Sequence, residues 1–178
     1  MGGLAVGART EPRFTKDLDL AVATPNDSAS EELVFSLQAR GYRVVAILEQ
    51  QASGRLATVR LSPPGSAEPV IIDLLFASSG IETDVVARAE PVTVFPKVRV
   101  PVACVGDLIA MKVLARDDQA RPQDRLDLRA LLQCSTLTDR QTARSALEQI
   151  GALGYGRGRD LRDELSAAEA EFGGPPPS

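Results

Sequence analysis

The sequence predicts an α+β (mixed α/β) protein in which a mixed central sheet comes first and a C-terminal helical bundle follows. Three observations predict it. Short aliphatic runs recur between residues 17 and 77, the hydrophobic period changes from two to 3.6 near residue 105, and four amphipathic segments then run to residue 172. A core sheet over 1–104, a helical region packed on it over 105–172 and a disordered "GGPPPS" tail over 173–178 are therefore expected.

The elements follow in order. "DLDLAVAT" reads as a strand ended by the turn signal "TPNDS", with Ser28 or Ser30 placed to cap a helix over 30–40 and Gly41 to stop it. "YRVVAILEQ" (42–50) and "GRLATVRLS" (54–62) read as two strands joined by a glycine-containing turn. "SPPGSAEP" reads as a loop, and "VIIDLLFA" (70–77) as a strand buried on both faces. "IETDVVARAEPVTVF" suits a short helix and then a strand, and "VRVPVACV" a short edge segment holding a proline. The helices are expected over 106–117, 122–133, 138–150 and 158–172.

Composition removes several chemistries. With no histidine in 178 residues, an imidazole base, a Ser-His-Asp triad and His-containing zinc sites are excluded. Aromatics at 4% with no tryptophan argue against a stacking platform for single strands. A net charge of −4 requires any nucleic acid to be held by a local basic patch. Cys104 and Cys134 lack CxxC spacing and are expected as buried free thiols. No run of about eighteen apolar residues predicts a membrane span, and the start lacks the order of a secretory signal. A cytoplasmic setting without membrane association is expected.

Chemistry concentrates in "RFTKDLDLAV". Asp17 and Asp19 lie two apart on a strand, so their side chains share a face about 6.5–7 Å apart at Cα, a spacing that lets two carboxylates converge on divalent cations. The competing reading is a solvated acidic edge. Leu18 and Leu20 are expected to be buried on the other face. Upstream, Gly2 and Gly3 allow close backbone approach to phosphate, and Arg9, Arg13, Thr15 and Lys16 can contact an anion.

Asp73 interrupts "VIIDLLF" and needs a partner, either the same metal pair or an arginine. Lys112 follows Leu108 by four on the helix expected over 106–117, along the packed edge, where it either snorkels or binds a triphosphate as a point charge. Asp127 lies near the apolar stripe of the next helix; it can orient Lys112, help deprotonate a hydroxyl or pair with Arg116, Arg121 or Arg129. Asp124 and Arg125 are expected to face solvent. Arg116, Arg121, Arg125 and Arg129 form a basic surface diluted by interleaved aspartates.

Taken together, "GGLAVGARTEPRFTKDLDLAV", "VIIDLLF" and "DLIAMKVLARDDQARPQDRLDLRAL" resemble DNA polymerase β-type nucleotidyltransferases. More closely they resemble the AbiEii/MenT-type nucleotidyltransferase toxins of bacterial toxin–antitoxin systems. Residues 2–22, 70–76 and 106–132 carry the likeness, although members of that group usually have a helix and a strand before the glycine pair. The resemblance implies a nucleotidyltransferase fold, with Asp17, Asp19 and Asp73 as ligands of two Mg2+ ions and Lys112 and Asp127 as further functional residues. Gly2, Gly3, Arg13, Lys16 and Arg116 would bind substrate. It implies transfer of a nucleotide from an NTP, with CTP or another pyrimidine nucleotide as the candidate, to the 3′ end of tRNA, blocking aminoacylation. It also implies a cognate antitoxin, with a kinase acting at Thr15 as one form. The same chemistry on a protein hydroxyl or an aminoglycoside-like small molecule is the enzymatic alternative, and an inactive binding module the non-enzymatic one.

Overall fold

The computed structural model describes residues 1–12, 14–50, 54–65, 70–117 and 122–173. Its elements are α1 (Gly2–Arg9), β1 (Asp17–Ala21), α2 (Asp27–Ala39), β2 (Arg43–Glu49), β3 (Leu56–Ser62) and β4 (Ile71–Leu75). After these come α3 (Glu82–Arg88), the strands β5 (Glu90–Phe95) and β6 (Val98–Val102), and the helices α4 (Val105–Ala115), α5 (Pro122–Cys134), α6 (Leu137–Ala152) and α7 (Leu161–Phe172). The expected order of sheet first and helices after is what the chain adopts.

The sheet runs β1-β4-β3-β2, with β1 parallel to β4 and the other two pairings antiparallel. β4 is therefore a central strand, which explains its nearly unbroken apolar run. α2 covers one face, where Val34 packs with Val59, Leu61, Leu74 and Phe76. This helix sits over the middle of the sheet, so the expectation that Leu20 is buried fails: on edge strand β1 it is 39% exposed, and Leu18 is half-buried. The segment before β1 is helical, not merely a glycine-containing lead-in. Ala5 and Val6 of α1 enter the main core formed with α3 to α7.

Local chemistry sets the ends. Asn26, not Ser28 or Ser30, caps α2, its Oδ1 accepting from the Ala29 amide at 2.9 Å, because Ser30 is buried in a hydroxyl pair with Thr24. Gly41 takes φ +92° immediately after the helix, as its stop position demands. α6 starts with a capping box between Thr136 and Asp139. The two cysteines are free, but Cys104 is only half-buried and Cys134 is exposed, since each lies at a helix end and not in a packed middle. From residue 174 the tail lies outside the described residues, as do 51–53 and 66–69 of the expected turn and loop. Among the described residues no helix is long and apolar enough to cross a membrane.

The bundle depends on one close approach. A Cβ on Gly106 would lie 2.5 Å from the Asp139 carbonyl oxygen and 2.7 Å from the Thr142 Cβ, so α4 reaches α6 through bare backbone. Gly106→Ala is expected to lower the stability by about 1–3 kcal/mol in urea denaturation, despite alanine's better helix propensity. A neutral or stabilising effect would mean the helices can separate at no cost.

Candidate active site

β1 carries Asp17 and Asp19 on the sheet face opposite α2. The parallel register sets Asp19 beside Asp73, and the antiparallel β3–β4 register sets Asp73 beside Arg60. Neighbouring strands lie about 4.8 Å apart, so Asp19, Asp73 and Arg60 form one row across the sheet. Arg60 donates from Nε to Asp73 Oδ1 at 2.8 Å and from Nη2 to Oδ2 at 2.7 Å. The buried Asp73 thus has the arginine partner that one reading of the sequence allowed. Arg60 was not singled out from sequence, although a lone arginine inside the apolar alternation "LATVRLS" was an available signal.

Asp19 is held from below by α1. A Cβ on Gly2, which has φ +62°, would fall 1.7 Å from Asp19 Oδ2, so only glycine fits there. The Met1 α-ammonium donates to the Asp19 carbonyl at 2.7 Å. No side chain caps the start of α1, leaving the helix N-terminus beside the carboxylate. Burial pushes the Asp19 carboxyl above its usual range. The Met1 ammonium works against that shift, Asp73 adds to it, Lys112 opposes it and Asp17 adds slightly.

Lys112 lies on α4 with its ammonium 2.6 Å from Asp124 Oδ1 and 2.8 Å from Asp127 Oδ2. Gln123 Nε2 donates to Asp127 Oδ1 at 3.1 Å. The expectation that Asp124 faces solvent is wrong. It is buried, because Asp124, Asp127, Leu128 and Leu131 fall at i, i+3, i+4 and i+7 on the face that packs against α4. That stripe is visible in the sequence, where Asp127 reads as lying near it and only Asp124 reads as outward. Asp124 Oδ2 is buried with no hydrogen-bond partner among the described residues.

Other sequence candidates lie differently. Thr15 is half-buried just before β1, and its hydroxyl donates to the Asp17 carbonyl at 3.3 Å. Lys16 is exposed, Gly3 is buried within α1, and Arg13 and Arg121 lie outside the described residues. Arg9 is not open to an anion: its guanidinium donates to the carbonyls of Val102 and Ala103 and pairs with Glu90, fastening α1 to the separate antiparallel pair that β5 and β6 form. Arg116 reaches toward Glu171, where it lines a concavity with Pro122, Arg125 and Leu126.

The donor set fits a hard divalent cation. Asp17 and Asp19 offer only oxygen, share a face, and leave room for further ligands at the exposed Asp17 side. Magnesium commonly takes one or two carboxylates and completes its shell with water and substrate phosphates. Among the described residues no group of three His, Cys, Asp or Glu side chains forms an all-protein cage.

Residues 2–173 match the family described as nucleotidyl transferase AbiEii toxin, Type IV toxin–antitoxin system, and the chain belongs to that family. No curated protein matches it in sequence. Among solved structures it is similar to an antigenic nucleotidyltransferase-like protein from Paracoccidioides brasiliensis, at 18% identity and a TM-score of 0.47, over 94% of this chain and 83% of that one.

Proposed function

We propose that the protein transfers a nucleoside monophosphate from an NTP to the 3′ end of tRNA in a magnesium-dependent reaction. The observation that carries the reading is the pair Asp17 and Asp19 on one face of β1, with Asp19 packed against the uncapped start of α1 at Gly2. Asp17 and Asp19 would hold the magnesium. Two such ions, when bound, favour ionisation of the acceptor hydroxyl and neutralise the departing pyrophosphate. The bare helix start at Gly2 and Gly3, with Lys16, would receive the triphosphate. Asp124 and Asp127 keep the Lys112 ammonium fixed, and it would meet the charge that gathers on the leaving phosphates. The acceptor oxygen would bond to the α-phosphorus as the bond to the pyrophosphate oxygen breaks, and the hydroxyl proton would leave to solvent.

The experiment is incubation with each labelled NTP, magnesium and total tRNA. Label at the tRNA 3′ end, absent without magnesium, is expected, with CTP or UTP the preferred donor. No label in tRNA sinks the reading. A second reading, transfer to a protein hydroxyl or an aminoglycoside-like small molecule, is favoured by the net charge of −4, and lysate labelling would show it as label in another size class.

Thr15 is the proposed regulatory position in the partnership with an antitoxin. A phosphate there, with a charge of about −1.5 to −2, would sit beside Asp17, compete for the metal and repel the incoming triphosphate. Thr15→Glu is expected to lower transfer in the same assay, whereas Thr15→Val retains it.

A further inference from the structure

We propose that β2 is the pairing edge of a symmetric homodimer. A second copy of this chain lays its own β2 antiparallel alongside and joins two four-stranded sheets into one of eight. The proposal is independent of the transfer reading and concerns the end of the sheet farthest from β1.

β2 closes the order β1-β4-β3-β2, so one side of it bonds to β3 and the other meets no strand among the described residues. Such an edge offers a row of unpaired amide and carbonyl groups to any further strand. Chains that keep an edge single commonly place lysine or proline on it, or a charge in its middle. "RVVAILE" has none of these between Arg43 and Glu49. It carries instead Val45, Ile47 and Leu48 at 56%, 58% and 57% exposure, and no other described element holds more than one exposed large apolar side chain. The bulge at Val45 is the one protective device present.

The occupant is read from the strand's own sequence. Turned antiparallel about Ala46, β2 matches itself: Arg43 faces Glu49 of the partner subunit, Val44 faces Leu48 of the partner subunit and Val45 faces Ile47 of the partner subunit. A two-fold contact is isologous, so the charged pair occurs at both ends of the ladder. Opposite charges directly across an antiparallel ladder favour pairing, and like charges oppose it. Arg43 and Glu49 are both exposed, and neither forms an ion pair or side-chain hydrogen bond among the described residues. Sliding the register by one residue sets Arg43 against Leu48 or Gln50 of the partner subunit and loses both charged pairs.

The two-fold stands perpendicular to the sheet, so both α2 helices lie on one face and both Asp17–Asp19 pairs on the other. The two β1 strands become the outer edges, about 34 Å apart along the sheet at strand spacings of about 4.8 Å. Pairing through β2 therefore leaves both carboxylate pairs open. Seven residues a side make a small contact, which sets the dissociation constant on the order of 10 µM.

The test is sedimentation velocity of the full chain over about 1–200 µM, with three variants at exposed positions. Ile47→Lys places a charge in the middle of the edge. Arg43→Glu and Glu49→Arg each set like charges across both ends of the ladder. Wild type is expected to dimerise, Ile47→Lys to stay monomeric, and each charge reversal to weaken dimerisation about tenfold. An equal mixture of Arg43→Glu and Glu49→Arg is expected to dimerise as wild type does, because every acidic residue then meets an arginine when unlike variants pair. That rescue also shows both variants to be folded. A wild type that stays monomeric at the highest concentration overturns the proposal, including one whose β2 amides gain hydrogen-exchange protection only when a cognate antitoxin is added. A dimer that Ile47→Lys leaves intact uses another surface and overturns it too. A mixture no more dimeric than its two components overturns the antiparallel match.

Discussion

Asp19→Asn is expected to abolish nucleotide transfer, by about a thousandfold or more, and at the same time to make the metal-free protein more stable. The two effects have one cause. Asp19 is a half-buried carboxylate whose charged form is disfavoured first by burial and then by Asp73 and Asp17, with only partial relief from the Met1 ammonium and Lys112. Its folded-state pKa lies above the unfolded value, so the stability it contributes is present at acid pH and is lost as pH rises through the folded pKa. Asparagine fills the same space against Gly2 without that cost. The melting temperature of the metal-free variant at pH 7 should therefore exceed that of the wild type by a few degrees, about 2–4 °C for each kcal/mol in a chain of this size. The difference should close as pH falls below about 4, where aspartate is protonated in the folded and unfolded chains alike. Magnesium with a non-hydrolysable NTP analogue should raise the wild-type melting temperature and leave that of the variant unmoved. A variant that is both inactive and less stable at neutral pH would show that Asp19 serves the fold, not a ligand.

The second large effect is expected at Lys112. Lys112→Met would leave Asp124 and Asp127 facing each other in a buried interface without their cation. Breaking a buried pair by removing one partner costs about 3–5 kcal/mol, or roughly 6–20 °C in melting temperature at the scaling above. Activity should also fall, by about 10²–10³-fold if Lys112 meets charge on the leaving phosphates. The variant by itself cannot divide these effects. Adding Asp124→Asn to Lys112→Met removes one unpaired charge and should restore much of the stability, as followed by thermal denaturation. Transfer should stay low in the stabilised double variant. Recovery of activity along with stability would make Lys112 a structural residue only.

The candidate site was partly legible because some of its spacing is local. Two residues apart on a strand means one face whatever the rest of the chain does, so Asp17 and Asp19 could be paired from sequence. Four residues apart on a helix likewise put Lys112 on the packed edge behind Leu108. Asp124 was misread, although its periodicity with Asp127, Leu128 and Leu131 was equally local, because a lone acidic residue defaults to solvent until a buried lysine is known to face it. Arg9 was read as open to an anion for the same reason: its carbonyl partners, Val102 and Ala103, lie more than ninety residues further along the chain.

By itself, then, the sequence determined the order of elements, the exclusion of imidazole chemistry from a chain without histidine, and the facing pair on β1. Only the tertiary structure decided that β1 lies against β4, which sets Asp19 beside Asp73, and that β3 brings Arg60 to the carboxylate that had lacked a partner. It also decided that α5 turns two aspartates onto one lysine. The division has a physical reason. Dihedral preferences and side-chain periodicity act over a few residues, whereas strand order and helix docking are fixed by burying the whole apolar surface at once.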